Sequence, residues 1–299
     1  MNHKISLSES TKYFNSKILL FGEYTVTLGS EALAVPFNGY KGGFSFLSSS
    51  QYITEILLKL YNYCHLNQLG VYYDLTRFKV DIDNGLTFDA DVPFGYGLGS
   101  SGVLIAAFYD RYGIKEDASL GAIKDVLAQA ESCFHGVSSG MDPLVSYLDS
   151  PVYFSNSGCI ALNEAPLDLS NFFMLDTGIS RKTTDYVEIF KIKCVEKAFK
   201  NVLEELKKLN TQAILTLFAN DFLNNGAVVR KISELQLEAF SEMIPEAYLH
   251  LWEKGLQTDE YYLKLCGAGG GGMILGWSIS KDKIKHLEPV FLNTDNKTT

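Results

Sequence analysis

Three stretches of the 299-residue chain concentrate residue types that can do chemistry. The first, residues 93–102, reads PFGYGLGSSG and opens directly onto the apolar run VLIAAFYDRY. Glycines let phosphate oxygens approach backbone N–H groups, and a helix N-terminus adds unpaired donors and a partial positive charge. Ser100 and Ser101 can cap that helix or reach a bound Mg²⁺. The same letters satisfy GxGxxG through Gly97, Gly99 and Gly102. A dinucleotide loop, however, follows the first strand of a βαβ unit and needs an acidic residue at the end of the next strand. Here Pro93 intervenes, and Glu116 and Asp117 follow Gly113 at the end of the expected helix. The chain has no GxxxxGK[ST], HRD or DFG, which sets aside P-loop NTPases and protein kinases. Taken alone, the loop leaves a glycine-rich turn with a capping serine as the lesser alternative.

The second stretch, GAGGGG at residues 267–272, joins one strand-like run to another. Glycines cost order in regular structure, so a site is one reason for such a tract and a tight hairpin turn is the other. The third, ESCFHGVSSGMD, sets Glu131 near a helix end and Asp142 beyond a turn containing Gly136 and Gly140. Two carboxylates can converge there, although either one alone reads as a cap or a surface group.

These segments need a scaffold, and the composition supplies one. Hydrophobic residues at 46% and charged residues at 20% are ordinary for a globular chain, long enough for two domains. The net charge of -9 and pI near 5.1 argue against coating nucleic acid or an anionic membrane. The opening MNHKISLSES lacks an apolar signal region, and the five cysteines are scattered without CxxC spacing. A cytoplasmic protein without structural metal is expected.

KILLFGEY reads as a strand leading to short apolar segments punctuated by Gly22 and Gly29. Residues 51–69 show helical spacing, RFKVDID alternates like a half-buried strand, and LTFDADVP is extended. VLIAAFYDRYG and LGAIKDVLAQAESCF predict helices ending at Gly113 and before Gly136. VSYLDSPVYF and residues 172–175 read as strands. Helical patterns follow over 186–209, 212–224, 231–242 and 246–256, and YYLKLC and MILGW read as strands around the last glycine loop. Strands and helices grouped without strict alternation predict an α+β fold, with a boundary at Pro166 dividing residues 1–165 from 166–299.

Four blocks, KILLFGEYTV, PFGYGLGSSG, ESCFHGVSSGMD and KLCGAGGGG, occur in the order found in the GHMP kinase superfamily. The chain resembles that superfamily over nearly its whole length, and within it the mevalonate kinases, through HGxxSGxD and Glu131 before it; DTGISRKT is similar to their substrate-side segment. The resemblance implies a two-domain α+β fold: an N-terminal ATP-binding domain like ribosomal protein S5 domain 2, a ferredoxin-like C-terminal domain, and ligands in the cleft between them. It implies ATP and Mg²⁺ as cofactors, a small hydroxylated substrate, no nucleic-acid or membrane partner, and a homodimer at the family level.

Residue by residue, the resemblance implies that Asp142 takes the substrate hydroxyl proton beside Lys17, which stabilises transferred charge. Pro93, Gly95, Gly97, Leu98, Gly99, Ser100, Ser101 and Gly102 would hold the nucleotide, with Ser101 and Glu131 on Mg²⁺. Glu23, Tyr24, Thr183 and the loop of Gly267, Ala268, Gly269, Gly270 and Gly271 would face the substrate. The sequence departs from the pattern at Asn15-Ser16, where Pro-Gly is usual, at Tyr24 in place of histidine, and at Gly102 in place of alanine. GEY and YGLGSSG also resemble phosphomevalonate kinases, which keeps that acceptor open. Diphosphomevalonate decarboxylase and a non-catalytic ligand sensor are the more distant readings.

Overall fold

The computed structural model describes residues 11–46, 50–92, 96–115, 118–163, 167–180 and 183–292, with residues 183–185 described by backbone alone. Chain contacts divide it into two compact units. One comprises Met1–Ser16, Asn38–Val92 and Gly99–Asp149; the other comprises Lys17–Phe37, Pro93–Leu98 and Ser150–Thr299. Strands β1 (Phe14–Phe21) and β2 (Ala32–Ser45) each contribute residues to both units. Helices and antiparallel sheets are mixed as an α+β fold requires.

In the first unit, α1 (Gln51–Leu66) and α2 (Leu75–Asp83) precede β3 (Thr87–Ala90), which pairs antiparallel with the end of β2. Then come α3 (Ser100–Tyr112), α4 (Leu120–His135) and α5 (Met141–Leu148). α3 is the centre of this unit because Val103, Leu104, Ile105, Ala106, Ala107 and Phe108 are all buried, on every face of the helix. It packs against both α4 and α5, and Phe108 lies among the rings of Tyr73, Phe78 and Tyr112.

The half-buried strand expected over RFKVDID is instead part of α2. Phe78 and Ile82, four residues apart, are buried, whereas Val80, which a strand would align with them, is 51% exposed. The Asp74 carboxylate accepts the Arg77 N–H at 2.9 Å and starts the helix. Likewise VSYL, expected as strand, belongs to α5. Pro143 falls in the first helical turn, where a missing N–H costs no intrahelical bond, and Met141, Leu144 and Val145 share the buried face.

In the second unit, β4 (Val152–Ser155) pairs with the start of β2 and with β5 (Gly158–Ala161). A separate antiparallel sheet has the order β7-β8-β6-β9, formed by β6 (Phe172–Asp176), β7 (Tyr262–Leu265), β8 (Met273–Trp277) and β9 (Val290–Phe291). The helices are α6 (Thr183–Lys193), α7 (Lys197–Phe218), α8 (Phe222–Ala239) and α9 (Glu246–Thr258). Their breaks differ from the expected ones. Residues 194–196 interrupt the first long pattern, and the helices expected over 212–224 and 231–242 are redistributed between α7 and α8. Asn220 at φ 52° ends the former, and the Asp221 carboxylate accepts the Asn224 N–H to start the latter. α8 packs on α7 and β7, and Gly226 lets it approach closely, since a Cβ there would lie 2.3 Å from the Trp277 ring.

Candidate active site

The first unit assembles Ser101, Glu131, His135, Ser138 and Asp142. Gly99, left-handed at φ 73°, turns the chain into α3, so Ser100 and Ser101 occupy its first turn with the helix's unpaired N–H groups. Glu131 and His135 are one turn apart on α4, and both reach Ser101. Ser101 Oγ donates to Glu131 Oε1 at 3.0 Å and lies 2.9 Å from His135 Nε2. A hydroxyl that gives its one proton to the carboxylate can accept one from the imidazole. Burial lowers the His135 pKa, opposed by the Asp142 carboxylate and reinforced by Lys59, so the ring is neutral near pH 7.

The turn after α4 closes on the same acid. Ser138 Oγ donates to Glu131 Oε2 and accepts the Gly140 N–H at 3.0 Å, while Ser138 N–H donates to Ser132 Oγ at 3.2 Å. Glu131 is only 4% exposed, and a serine hydroxyl holds each of its oxygens. Gly140 is left-handed at φ 71°, and a Cβ there would meet the Lys124 carbonyl oxygen at 2.2 Å. Glycine therefore permits the close turn that sets Asp142 in the first turn of α5, where the helix dipole favours a carboxylate. Gly102 on α3 faces that turn directly. Its missing Cβ would lie 2.9 Å from both Asp142 Cβ and the Asp142 carbonyl carbon.

The second unit assembles Lys17, Glu23, Tyr24, Gly97, Leu98 and the loop after β7. Lys17, 5% exposed, donates its backbone N–H to the Leu98 carbonyl at 3.2 Å, so β1 and the end of the first glycine-rich loop meet. Glu23 and Lys264 form a fully buried ion pair, and Lys264 Nζ also donates to the Leu265 carbonyl at 2.9 Å. Burial raises the Glu23 pKa, and Lys264 first, then Lys17, pulls it back down. The last glycine loop has positive φ at Gly267, Gly269, Gly270, Gly271 and Gly272, conformations that residues with a Cβ rarely adopt. Gly272 is its fixed end: its N–H donates to the Ile179 carbonyl at 2.7 Å, and its carbonyl accepts from Thr177 N–H at 3.0 Å and Thr177 Oγ1 at 2.7 Å. The Tyr96 carbonyl accepts the next N–H, that of Met273, at 3.4 Å.

Each unit thus gathers part of the expected set. Pro93, Gly95 and the Thr183 side chain lie outside the described residues, as do Glu116, Asp117 and Pro166. His135, Ser138, Lys264, Thr177 and Gly272 join the site from inside the quoted blocks, where the sequence had given them no role of their own. His135 was legible as the residue one helical turn after Glu131, and Lys264 as a lone charge in the apolar strand YLKL. Ser138 and Thr177 carry no such signal, because loop geometry alone brings them in. Among the described residues no group of three or more His, Cys, Asp or Glu side chains is placed to hold a metal ion.

Residues 51–150 match the family model of the GHMP kinases N terminal domain. Over 271 residues the chain is 26% identical to the mevalonate kinase of Archaeoglobus fulgidus, covering 87% of this chain and 89% of that protein. The solved structure of L. major mevalonate kinase in complex with R-mevalonate matches 94% of this chain and 90% of its own at a TM-score of 0.66, with 17% identity. Streptococcus pneumoniae phosphomevalonate kinase in complex with phosphomevalonate and AMPPNP matches 95% and 99% at 0.67, with 15% identity. The chain has the GHMP kinase fold, carries that family's N-terminal domain, and is by class an ATP-dependent small-molecule kinase. Among such kinases it is similar to the mevalonate kinases in sequence.

Proposed function

We propose that the protein transfers the γ-phosphoryl group of ATP to the primary hydroxyl of (R)-mevalonate, giving 5-phosphomevalonate and ADP. The observation that carries this reading is the convergence in one unit of an anion-binding helix start (Ser100, Ser101), an oxygen pair for a hard cation (Ser101, Glu131) and a carboxylate at a helix N-terminus (Asp142). The similarity to the Archaeoglobus fulgidus mevalonate kinase supports the choice of acceptor.

The residues fit the groups this chemistry requires. Ser101 Oγ and Glu131 offer adjoining oxygen donors, the ligand type that Mg²⁺ takes from a protein while phosphates and water complete its shell. Bound there, the cation would draw charge from the phosphoryl oxygens. Pro93, Gly95, Gly97, Leu98, Gly99, Ser100 and Gly102 hold the nucleotide, with backbone N–H groups at the start of α3 meeting phosphate oxygens. The acceptor oxygen bonds to the γ-phosphorus as the bond to the bridging oxygen of ADP breaks, and the hydroxyl proton passes to the Asp142 carboxylate. The Lys17 ammonium stabilises the charge on the transferring group. Glu23, Tyr24, Thr183 and the loop of Gly267, Ala268, Gly269, Gly270 and Gly271 take the acceptor side. Residues 1–165 and 166–299 are read as the two functional domains.

Phosphomevalonate is the second acceptor to weigh, favoured by GEY and by the fold match to a phosphomevalonate kinase. ADP release measured with mevalonate, phosphomevalonate, homoserine and galactose separates the readings. Turnover of mevalonate is expected. Turnover of phosphomevalonate alone would replace the acceptor while keeping the kinase assignment.

A further inference from the structure

Tyr24 is the residue of the first motif whose backbone is strained. Its backbone adopts φ 62°, ψ -45°, a conformation that a residue with a bulky side chain holds only when its surroundings impose it. The side chain shows what imposes it. The ring stacks on Phe190 at 4.4 Å and on Phe240 at 5.8 Å between centroids, and its hydroxyl donates to the Ala268 carbonyl at 2.5 Å. A phenol has one proton to give, and this one goes to the glycine loop.

Its neighbour acts on the base of the same loop. Glu23 is buried against Lys264 on β7, the strand that runs into residues 267–272, and the next residue, Leu265, donates its N–H to Gln236 Oε1 at 2.8 Å. Gly270 donates its N–H to the Met243 carbonyl at 2.5 Å, and Met243 follows Phe240, one of the rings under Tyr24. A loop with five left-handed or otherwise positive-φ glycines has little conformational preference of its own. Its shape must be imposed by such contacts.

We infer that the GEY segment serves this kinase as a latch: Tyr24 and Glu23 are positioning residues that fix residues 267–272 in their working conformation. The hydroxyl of Tyr24 secures the Ala268 carbonyl, and the buried carboxylate of Glu23 secures the strand below it. The aromatic identity at position 24 is accounted for by Phe190 and Phe240, which give a flat ring two faces to lie on. The inference deepens the proposed function and rests on it only for the role of the loop in phosphoryl transfer.

Tyr24→Phe keeps the ring stack and removes only the hydroxyl, so it tests the latch without disturbing the fold. Hydrogen exchange of the ligand-free enzyme should speed up in the peptide spanning residues 267–272, with β6 and β8 unchanged. In the same variant kcat should fall about tenfold, the effect of losing one partly buried hydrogen bond that holds the loop, while the KM of the acceptor alcohol stays within about twofold. Tyr24→Leu, which also removes the stack, should enlarge both effects. Unchanged loop exchange in Tyr24→Phe would overturn the inference, as would a tenfold rise in acceptor KM at wild-type kcat, the pattern of a direct substrate contact. The exchange measurement needs no substrate, so a failure of the mevalonate assignment leaves it readable.

Discussion

Gly102→Ala tests whether the packing of α3 on α5 sets the position of the base. The added Cβ would lie 2.9 Å from Asp142 Cβ and the Asp142 carbonyl carbon and 3.0 Å from Pro143 N, whereas ordinary contact begins at 3.4 Å. These are the backbone and the first side-chain atom of α5, so no flexible side-chain tip can swing aside. The start of α5 must retreat by roughly 0.5 Å. Two stability effects oppose one another. Alanine favours the helical backbone by about 0.8–1 kcal/mol over glycine, and overpacking a close contact costs about 1–3 kcal/mol. The fold should therefore lose at most about 2 kcal/mol. Catalysis is more sensitive, because a misplacement of about 1 Å can cost on the order of a hundredfold, so half that shift predicts a loss of about tenfold in kcat. The new methyl points at α5, so Mg-ATP affinity measured by titration calorimetry should change little. Urea melts and steady-state ADP release on the same preparation give the remaining quantities. Wild-type kcat in a variant of near-wild-type stability would refute the claim that this contact positions Asp142.

Three further outcomes follow from the same geometry. Glu131→Gln should raise the Mg²⁺ concentration needed for half-maximal activity, as seen in a metal titration at saturating ATP, because an amide is a weaker ligand for a hard cation. Lys264→Met leaves Glu23 buried without its cation and should cost about 3–5 kcal/mol at neutral pH. The Glu23 pKa, already raised by burial above 4.5, would then rise further, so the deficit is absent below the unfolded-state value and grows as pH climbs through the folded one. Urea melts across that range should show this sign, and adding Glu23→Gln should recover part of the loss. Cys64 is fully buried, and burial pushes its pKa up to about 12, so iodoacetamide at pH 8 should label the half-exposed Cys159 and Cys194 and reach Cys64 only on unfolding.

The fold was legible where local chemistry and tertiary environment agree. Residues 51–66, α3, α4 and the strand-glycine-strand ending carry their period or punctuation openly. RFKVDID deceived because Phe78, Val80 and Ile82 alternate as in a strand, and only the exposure of Val80 distinguishes a helix that buries positions four apart. VSYL deceived because its helix starts upstream, at a left-handed Gly140 that the strand reading passed over. In the site, Glu131, Asp142 and the glycines stood out by type and spacing. Ser138 did not, since its hydroxyl reaches Glu131 through a turn whose course depends on Gly136 and Gly140. Tyr24 was visible only as an oddity, and its partners Phe190, Phe240 and Ala268 are separated from it by more than a hundred residues of chain.

The central claim is that Asp142 accepts a proton from mevalonate during transfer from ATP. Its most direct test is single-turnover formation of 5-phosphomevalonate from Mg-ATP and (R)-mevalonate by the wild-type enzyme and by Asp142→Asn. The wild type should form product, and the variant should bind Mg-ATP with nearly unchanged affinity yet lose about a hundredfold or more in the transfer rate. A wild type that forms no phosphomevalonate, or a variant that forms it at the wild-type rate, would contradict the account.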